Sequence, residues 1–296
     1  MSKEQLQPIR DMLLAQAANR ATEIGAMREE FNMMAATFVK EPDIKREEVD
    51  VDGMRGAWFT APDSSSNRIV LYLHGGAYIL GSIDTHESLI GRIAKAAKAR
   101  CLAVDYRLAP EHPHPAAVED ATKAYQWLLK QGIDSKRIAI SGDSAGGGLT
   151  LATLLKTRDD GKPLPACAAC LSPWVDLEAT GNSMESRAEA DPMIEREGVK
   201  AYGKVFLGGK NPHDPLAAPL YGDYTGLPPL LIQVGGDETL LDDSTRVADK
   251  AAAAGVEVDL QIWDDMIHVW QVFAPYVDES GAAIETIGAF VQRNIA

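Results

Sequence analysis

From residue 69 onward, short continuous apolar runs alternate with stretches of helical periodicity, and that rhythm leaves few folds open. The runs occupy residues 69–73, 101–104, 137–141, 167–171, 230–234 and 258–263. Helical spacing of apolar residues covers 85–99, 115–130, 145–157, 242–254 and 278–294. Parallel strands cannot be joined by a tight turn, because the chain must return to the same edge of the sheet, so each pair needs a long crossover. Strand–helix alternation therefore predicts a parallel sheet with helices on both faces. The runs show no in–out alternation, which fits strands buried on both sides.

The first 68 residues read differently. Two helical patterns, about 3–19 and 21–38, are followed by Glu41-Pro42, where the residue before proline is pushed out of helical geometry. Met27, Phe31, Met34 and Phe38 form one apolar stripe on the second helix. Alternating residues over 45–51 and 55–60 predict two strands, and Asp52-Gly53 between them is a hairpin turn signal. Residues 62–67 read as a loop. The hairpin adds an antiparallel edge and brings the expected sheet to about eight strands. The rhythm breaks once more over residues 176–227, which carry turn residues and a helical piece near 195–206 but no strand signal. Residues 1–42 are thus expected to be N-terminal cap helices, 43–296 a catalytic domain, and 176–227 a cap inserted into it. A chain of 296 residues is long enough to bury roughly 75% of its unfolded surface.

Charge and cysteine content exclude several classes. With 43 acidic against 29 basic residues, the formal net charge is −14. Nucleic acid and anionic membrane surfaces need a concentrated positive field, so neither is an expected partner. Cys101, Cys167 and Cys170 are too few for a disulfide framework and suit a reducing compartment. Cys167-Ala-Ala-Cys170 looks like a metal or redox motif, but positions i and i+3 of a strand face opposite sides, so the thiols should diverge. No apolar run approaches the ~20 residues that span a bilayer. The polar N-terminus has no signal-peptide core, so a cytoplasmic location is expected.

Gly142-Asp143-Ser144-Ala145-Gly146 carries the chemistry. It follows a predicted strand and opens a predicted helix, the context in which a serine is presented on a sharp turn as a nucleophile. Close packing at that turn leaves no room for side chains two residues to either side, hence the glycines. His74-Gly75-Gly76-Ala77-Tyr78 follows the strand 69–73 and matches the H-G-G-x pattern of an oxyanion loop. Gly75, Gly76 and Ala77 are the candidate donors, joined by the N–H of Ala145, with His74 expected to brace the loop. His268 lies just after the last strand, where the general base falls in the chain order serine, acid, histidine. The acid belongs after the run 230–234, and spacing leaves Asp237 and Glu238 both open. Asp242 and Asp243 read instead as the start of the next helix, where carboxylates favour the dipole. No metal or cofactor is called for.

These motifs, together with Asp105-Tyr106-Arg107-Leu108-Ala109-Pro110-Glu111-His112-Pro113, resemble the bacterial hormone-sensitive-lipase-like esterases from about Val49 to the C-terminus. The resemblance implies an α/β-hydrolase fold, a mostly parallel eight-stranded sheet flanked by helices, with a helical cap. It implies a serine carboxylesterase acting on short- to medium-chain acyl esters, and dimerisation through the last strand, here Val258–Trp263. The family's acid lies in D-P-L-x-D. Laid on Leu240 and Asp242, that pattern puts the acid at Glu238, a longer side chain than the family's aspartate. The family's third loop glycine is Ala77 here, which a backbone donor tolerates. Arg107 and Glu111 are expected to pair and anchor their loop. Lactone or amide hydrolysis by the same triad, or a receptor that binds a small ligand without turnover, are the alternatives.

Overall fold

The computed structural model describes residues 2–17 and 21–295, so the end of the first expected helix, at residues 18 and 19, lies outside the described residues. Eight strands form one sheet in the order β1-β2-β4-β3-β5-β6-β7-β8. They are β1 (Lys45–Val51), β2 (Met54–Thr60), β3 (Ser65–Leu73), β4 (Ala99–Val104), β5 (Ile138–Asp143), β6 (Cys167–Leu171), β7 (Leu230–Gly235) and β8 (Val258–Trp263). Only β2 runs against its neighbours, β1 and β4. Its hairpin closes through Asp52 and Gly53 at φ 52° and 86°, the paired positive values of a type I′ turn.

The helices are α1 (Ser2–Ala17), α2 (Ile24–Ala35), α3 (Ile83–Ala97), α4 (Ala116–Lys130), α5 (Ala145–Asp159), α6 (Ser183–Ser186), α7 (Arg196–Leu207), α8 (Leu241–Ala253) and α9 (Asp278–Asn294). Residues of α4, α5, α7 and α8 share one core with one face of the sheet, and those of α3 and α9 share a second core with the other. Cys167 and Cys170 fall in different cores, as the strand alternation of their side chains requires. Among the described residues, no helix is long and apolar enough to cross a membrane.

Two expectations need correction. β3 begins at Ser65, inside the expected loop, because Ser65 already pairs with Ala99 of β4, its N–H donating to the Lys98 carbonyl at 2.9 Å, with a register shift before Ile69. β8 is an edge strand whose residues are only half-buried, and Ile262 is 47% exposed, so its apolar run does not mean burial on both faces.

What the topology does for function follows from the order. After β4 the chain crosses back over β3 to form β5, so strand direction of growth reverses between β3 and β5. At such a switch the two outgoing loops diverge to opposite faces and leave a crevice at the carboxyl ends of the strands. Leu73 pairs with Gly142, which sets the loop starting at His74 beside the turn at Ser144. The N-terminal helices and the insertion both lie against loops at this end. Leu6 and Leu13 of α1 are buried with Met266, Ile267, Trp270 and Phe273. On α2, Met27 is buried, and Phe31 lies 6.0 Å from the His86 ring. Phe206 of α7 stacks on Tyr78 at 3.8 Å.

Candidate active site

Ser144 sits between β5 and α5 with φ 53° and ψ −119°. A side chain with a Cβ enters this region only at a cost of ~1–3 kcal/mol. Its N–H donates to the Leu171 carbonyl at 2.8 Å, and its carbonyl accepts from Trp174 N–H at 3.0 Å, so both halves of the peptide are held. The flanking glycines are steric necessities. A Cβ on Gly142 would collide with the carbonyls of Gly146 and Leu73, and one on Gly146 with those of Leu73 and His74.

His268, on the loop after β8, is buried and places Nε2 2.9 Å from Ser144 Oγ. Its Nδ1 lies 2.7 Å from Glu238 Oε2. A carboxylate can only accept, so the proton sits on Nδ1 and Nε2 is free to accept the serine O–H. Glu238 is fully buried, and its other oxygen accepts from Ser172 Oγ at 2.7 Å and Gly235 N–H at 2.6 Å. Three donors thus satisfy a carboxylate that would otherwise be too costly to bury. Asp237, one residue earlier, turns the other way and pairs with Arg10 of α1 at 3.2 Å. Geometry therefore brings Glu238 to His268 and takes Asp237 away.

Burial disfavours the imidazolium of His268, but the Glu238 hydrogen bond and charge outweigh it, with Asp191 and Asp143 adding to the same field. The net effect is a pKa raised above the ordinary 6.5.

The loop after β3 is set peptide by peptide. In a trans peptide the C=O and the following N–H point in opposite directions. His74 Nδ1–H donates to Gly75 O at 2.8 Å, which turns the Gly76 N–H the other way. Gly76 O accepts from Ile79 N–H at 3.0 Å and Leu80 N–H at 2.8 Å, which turns the Ala77 N–H outward in the same manner. Neither Gly76 nor Ala77 donates its N–H to another group among the described residues. Ala145 is the first residue of α5, where a helix leaves its N–H groups unpaired.

Gly75 departs from expectation as a donor, since its N–H is spent on Asp143 Oδ1 at 3.1 Å. Asp143 also accepts from Tyr72 O–H at 2.7 Å. Burial would push this carboxyl up, but His86 and that hydrogen bond hold it below its ordinary value. It therefore ties the loop after β3 to the Ser144 turn as an anion.

Arg107 does not meet Glu111. It holds Asp120 at 2.8 Å, while Glu111 holds Arg28 of α2 at 2.8 Å. Asp242 and Asp243 do open α8, and they also fasten the insertion: Asp243 accepts from Val175 and Asp176 N–H, and Asp242 from Ser183 N–H at 3.1 Å. Sequence reasoning missed Ser172, which bridges the acid and base loops by donating to Glu238 and accepting from Val269 N–H at 3.2 Å. It also missed Asp191, whose carboxylate accepts from Thr239 N–H at 2.8 Å, next to Glu238. The one hint was the position of Ser172 directly after a strand; Asp191 carried none.

Known proteins resemble this chain over most of its length. A family profile described as alpha/beta hydrolase fold matches residues 70–272. An acetyl-hydrolase of Streptomyces hygroscopicus is 39% identical over 99% of this chain and 97% of its own length. A crystal structure of an esterase from the bacterial hormone-sensitive lipase family superposes with a TM-score of 0.98 at 47% identity, covering 100% of both chains. EstE5, in a crystal soaked with p-nitrophenyl butyrate, gives 0.94 at 45% identity over 98% of each chain.

The geometry around position 238 gives a clean comparison. Glu238→Gln should lower kcat by about 100-fold or more, because the amide no longer fixes the imidazole tautomer. Asp237→Asn should stay within about 2-fold, as this partly exposed ion pair does not touch His268. Steady-state kinetics on a nitrophenyl ester measure both, and the reverse ranking would move the acid to Asp237.

Proposed function

This chain belongs to the α/β-hydrolase fold family and, within it, to the bacterial hormone-sensitive-lipase-like esterases; it is a carboxylesterase, and from that premise we propose that Ser144, His268 and Glu238 are its catalytic triad, acting on short- to medium-chain acyl esters. The observation that carries the reading is one unbroken line of hydrogen bonds, 2.7 Å from Glu238 to His268 and 2.9 Å from His268 to Ser144, beside unspent backbone N–H groups.

In this reading His268 Nε2 takes the Ser144 proton as Oγ attacks the ester carbonyl. The carbonyl π electrons move onto oxygen, and the N–H groups of Gly76, Ala77 and Ala145 receive that charge. Each such donor contributes ~3 kcal/mol to the barrier reduction. Collapse expels the alkoxide, which takes the proton from His268, and leaves an acyl-serine. Water, deprotonated by His268, repeats the sequence and releases the acid. Glu238 stays ionised throughout and stabilises the imidazolium. We read residues 1–42 and 176–227 together as a cap on the catalytic domain 43–296. Support comes from the packing of α1 on the His268 loop and of α7 on Tyr78.

Ser144→Ala should abolish the burst of nitrophenol from an activated ester and reduce turnover by about 10³-fold or more. A retained burst would remove Ser144 as nucleophile. Because only neutral His268 can act as base, kcat/KM should fall as pH drops through its pKa. That pKa is raised, so the midpoint of the acid limb should lie above 6.5. A midpoint below that value would contradict the Glu238–His268 pairing.

The acetyl-hydrolase relative and the butyrate-soaked EstE5 structure support a small acyl group. Across nitrophenyl esters, kcat/KM should be higher for butyrate than for palmitate. Preference for the long chain would overturn the short-chain reading.

A further inference from the structure

The oxyanion loop stands in an unfavourable backbone conformation. Ala77 and Tyr78 have φ of 54° and 61°, values at which an L side chain crowds its own peptide. The turn 76–80 is closed from within by Gly76 O, but its outer carbonyls need partners too. Ile79 O receives Nε–H of Arg28 at 2.8 Å, from a helix more than 50 residues away in sequence. The same guanidinium donates to Ala109 O at 3.0 Å and, through both terminal nitrogens, to the Glu111 carboxylate at 2.8 Å each. Ala109 N–H in turn donates to Tyr78 O at 2.9 Å. One planar cation thus joins α2, the oxyanion loop and the segment 109–111. Lysine could not replace it, since a single ammonium on a flexible stem lacks the fork that reaches three acceptors in fixed directions.

We infer that Arg28, aligned by Glu111, is a positioning residue for the oxyanion loop: it holds the Ile79 peptide and, through the turn on Gly76 O, the direction of the Ala77 N–H. The inference rests on the reading of Gly76 and Ala77 as oxyanion donors. Arg28 touches no reacting atom. Its effect is therefore felt where charge develops on the substrate oxygen, and not where the acyl group is bound. Loss of such an interaction lowers kcat while leaving KM nearly unchanged.

The test uses the full-length chain and the variants Arg28→Met, Arg28→Lys and Glu111→Gln. It reads kcat and KM on p-nitrophenyl butyrate, thermal midpoint, and affinity for an alkyl trifluoromethyl ketone. That ketone adds the Ser144 hydroxyl across its C=O, His268 taking the proton, and so places an anionic oxygen among the same donors. Arg28→Met should lower kcat by about 10-fold or more with KM within about 2-fold, a size set by the sensitivity of such sites to small misplacement. Ketone affinity should weaken in parallel. Arg28→Lys should be intermediate, and Glu111→Gln smaller in the same direction.

A folded Arg28→Met enzyme with kcat and ketone affinity within about 2-fold of the parent overturns the inference. Should Arg28→Met fail to fold, unchanged kcat and ketone affinity in both Arg28→Lys and Glu111→Gln overturn it equally. If the ketone binds the parent and Ser144→Ala alike, the catalytic reading itself falls. If the ketone distinguishes those two but ignores position 28, only the role of Arg28 falls.

Discussion

The pairing of β3 with β5 is the contact on which the site depends. Sequence places 68 residues between Leu73 and Gly142, yet the parallel register sets them side by side. Two loops then leave adjacent strands at the same end of the sheet, one carrying the unspent N–H groups of Gly76 and Ala77 and one carrying Ser144. Asp143 makes the adjacency tight, since the residue before Ser144 accepts the N–H of Gly75. A slip of this register by one residue would turn the strand's side chains to the opposite cores, so the two cores that clamp the sheet also fix the spacing of the catalytic groups.

The second requirement is electrostatic. A fully buried carboxylate is tolerated only when its lone pairs are met and a cation can form beside it. Glu238 meets both conditions through Ser172, Gly235 and His268. The partners come from the ends of three strands: Ser172 after β6, Gly235 at the end of β7 and His268 after β8. Ser172, with φ 44°, and Val269, with φ 49°, are both left-handed and both bonded into this network. Strain collects at the loops bearing Ser144, Ala77, Ser172 and His268, and the packed cores on either side of the sheet offset it.

The N-terminal helices pack against the same loops. Through Arg10 they meet the loop of the acid, through Leu6 and Leu13 the loop of the base, and through Arg28 the oxyanion loop. The insertion adds Asp191 beside Glu238 and Phe206 beside Tyr78. Both segments therefore make contact with the loops that carry Glu238, His268 and Tyr78.

The sequence by itself determined the alternating architecture, the serine turn, the glycine loop and the position of His268. Each of these rests on local rules: a strand period, a glycine where a Cβ cannot fit, a residue at a strand's end. Spacing left Glu238 and Asp237 equivalent, and only the family pattern favoured the former. The fold separates them: Glu238 is turned toward His268 and Asp237 toward Arg10. Tertiary structure also decided that Gly75 gives its N–H to Asp143, that Arg107 and Glu111 find different partners, and that Ser172, Asp191 and Arg28 bond to the loops after β3, β7 and β8. Such contacts join residues tens to hundreds of positions apart, and side-chain direction across that distance is set by packing, which no local pattern records.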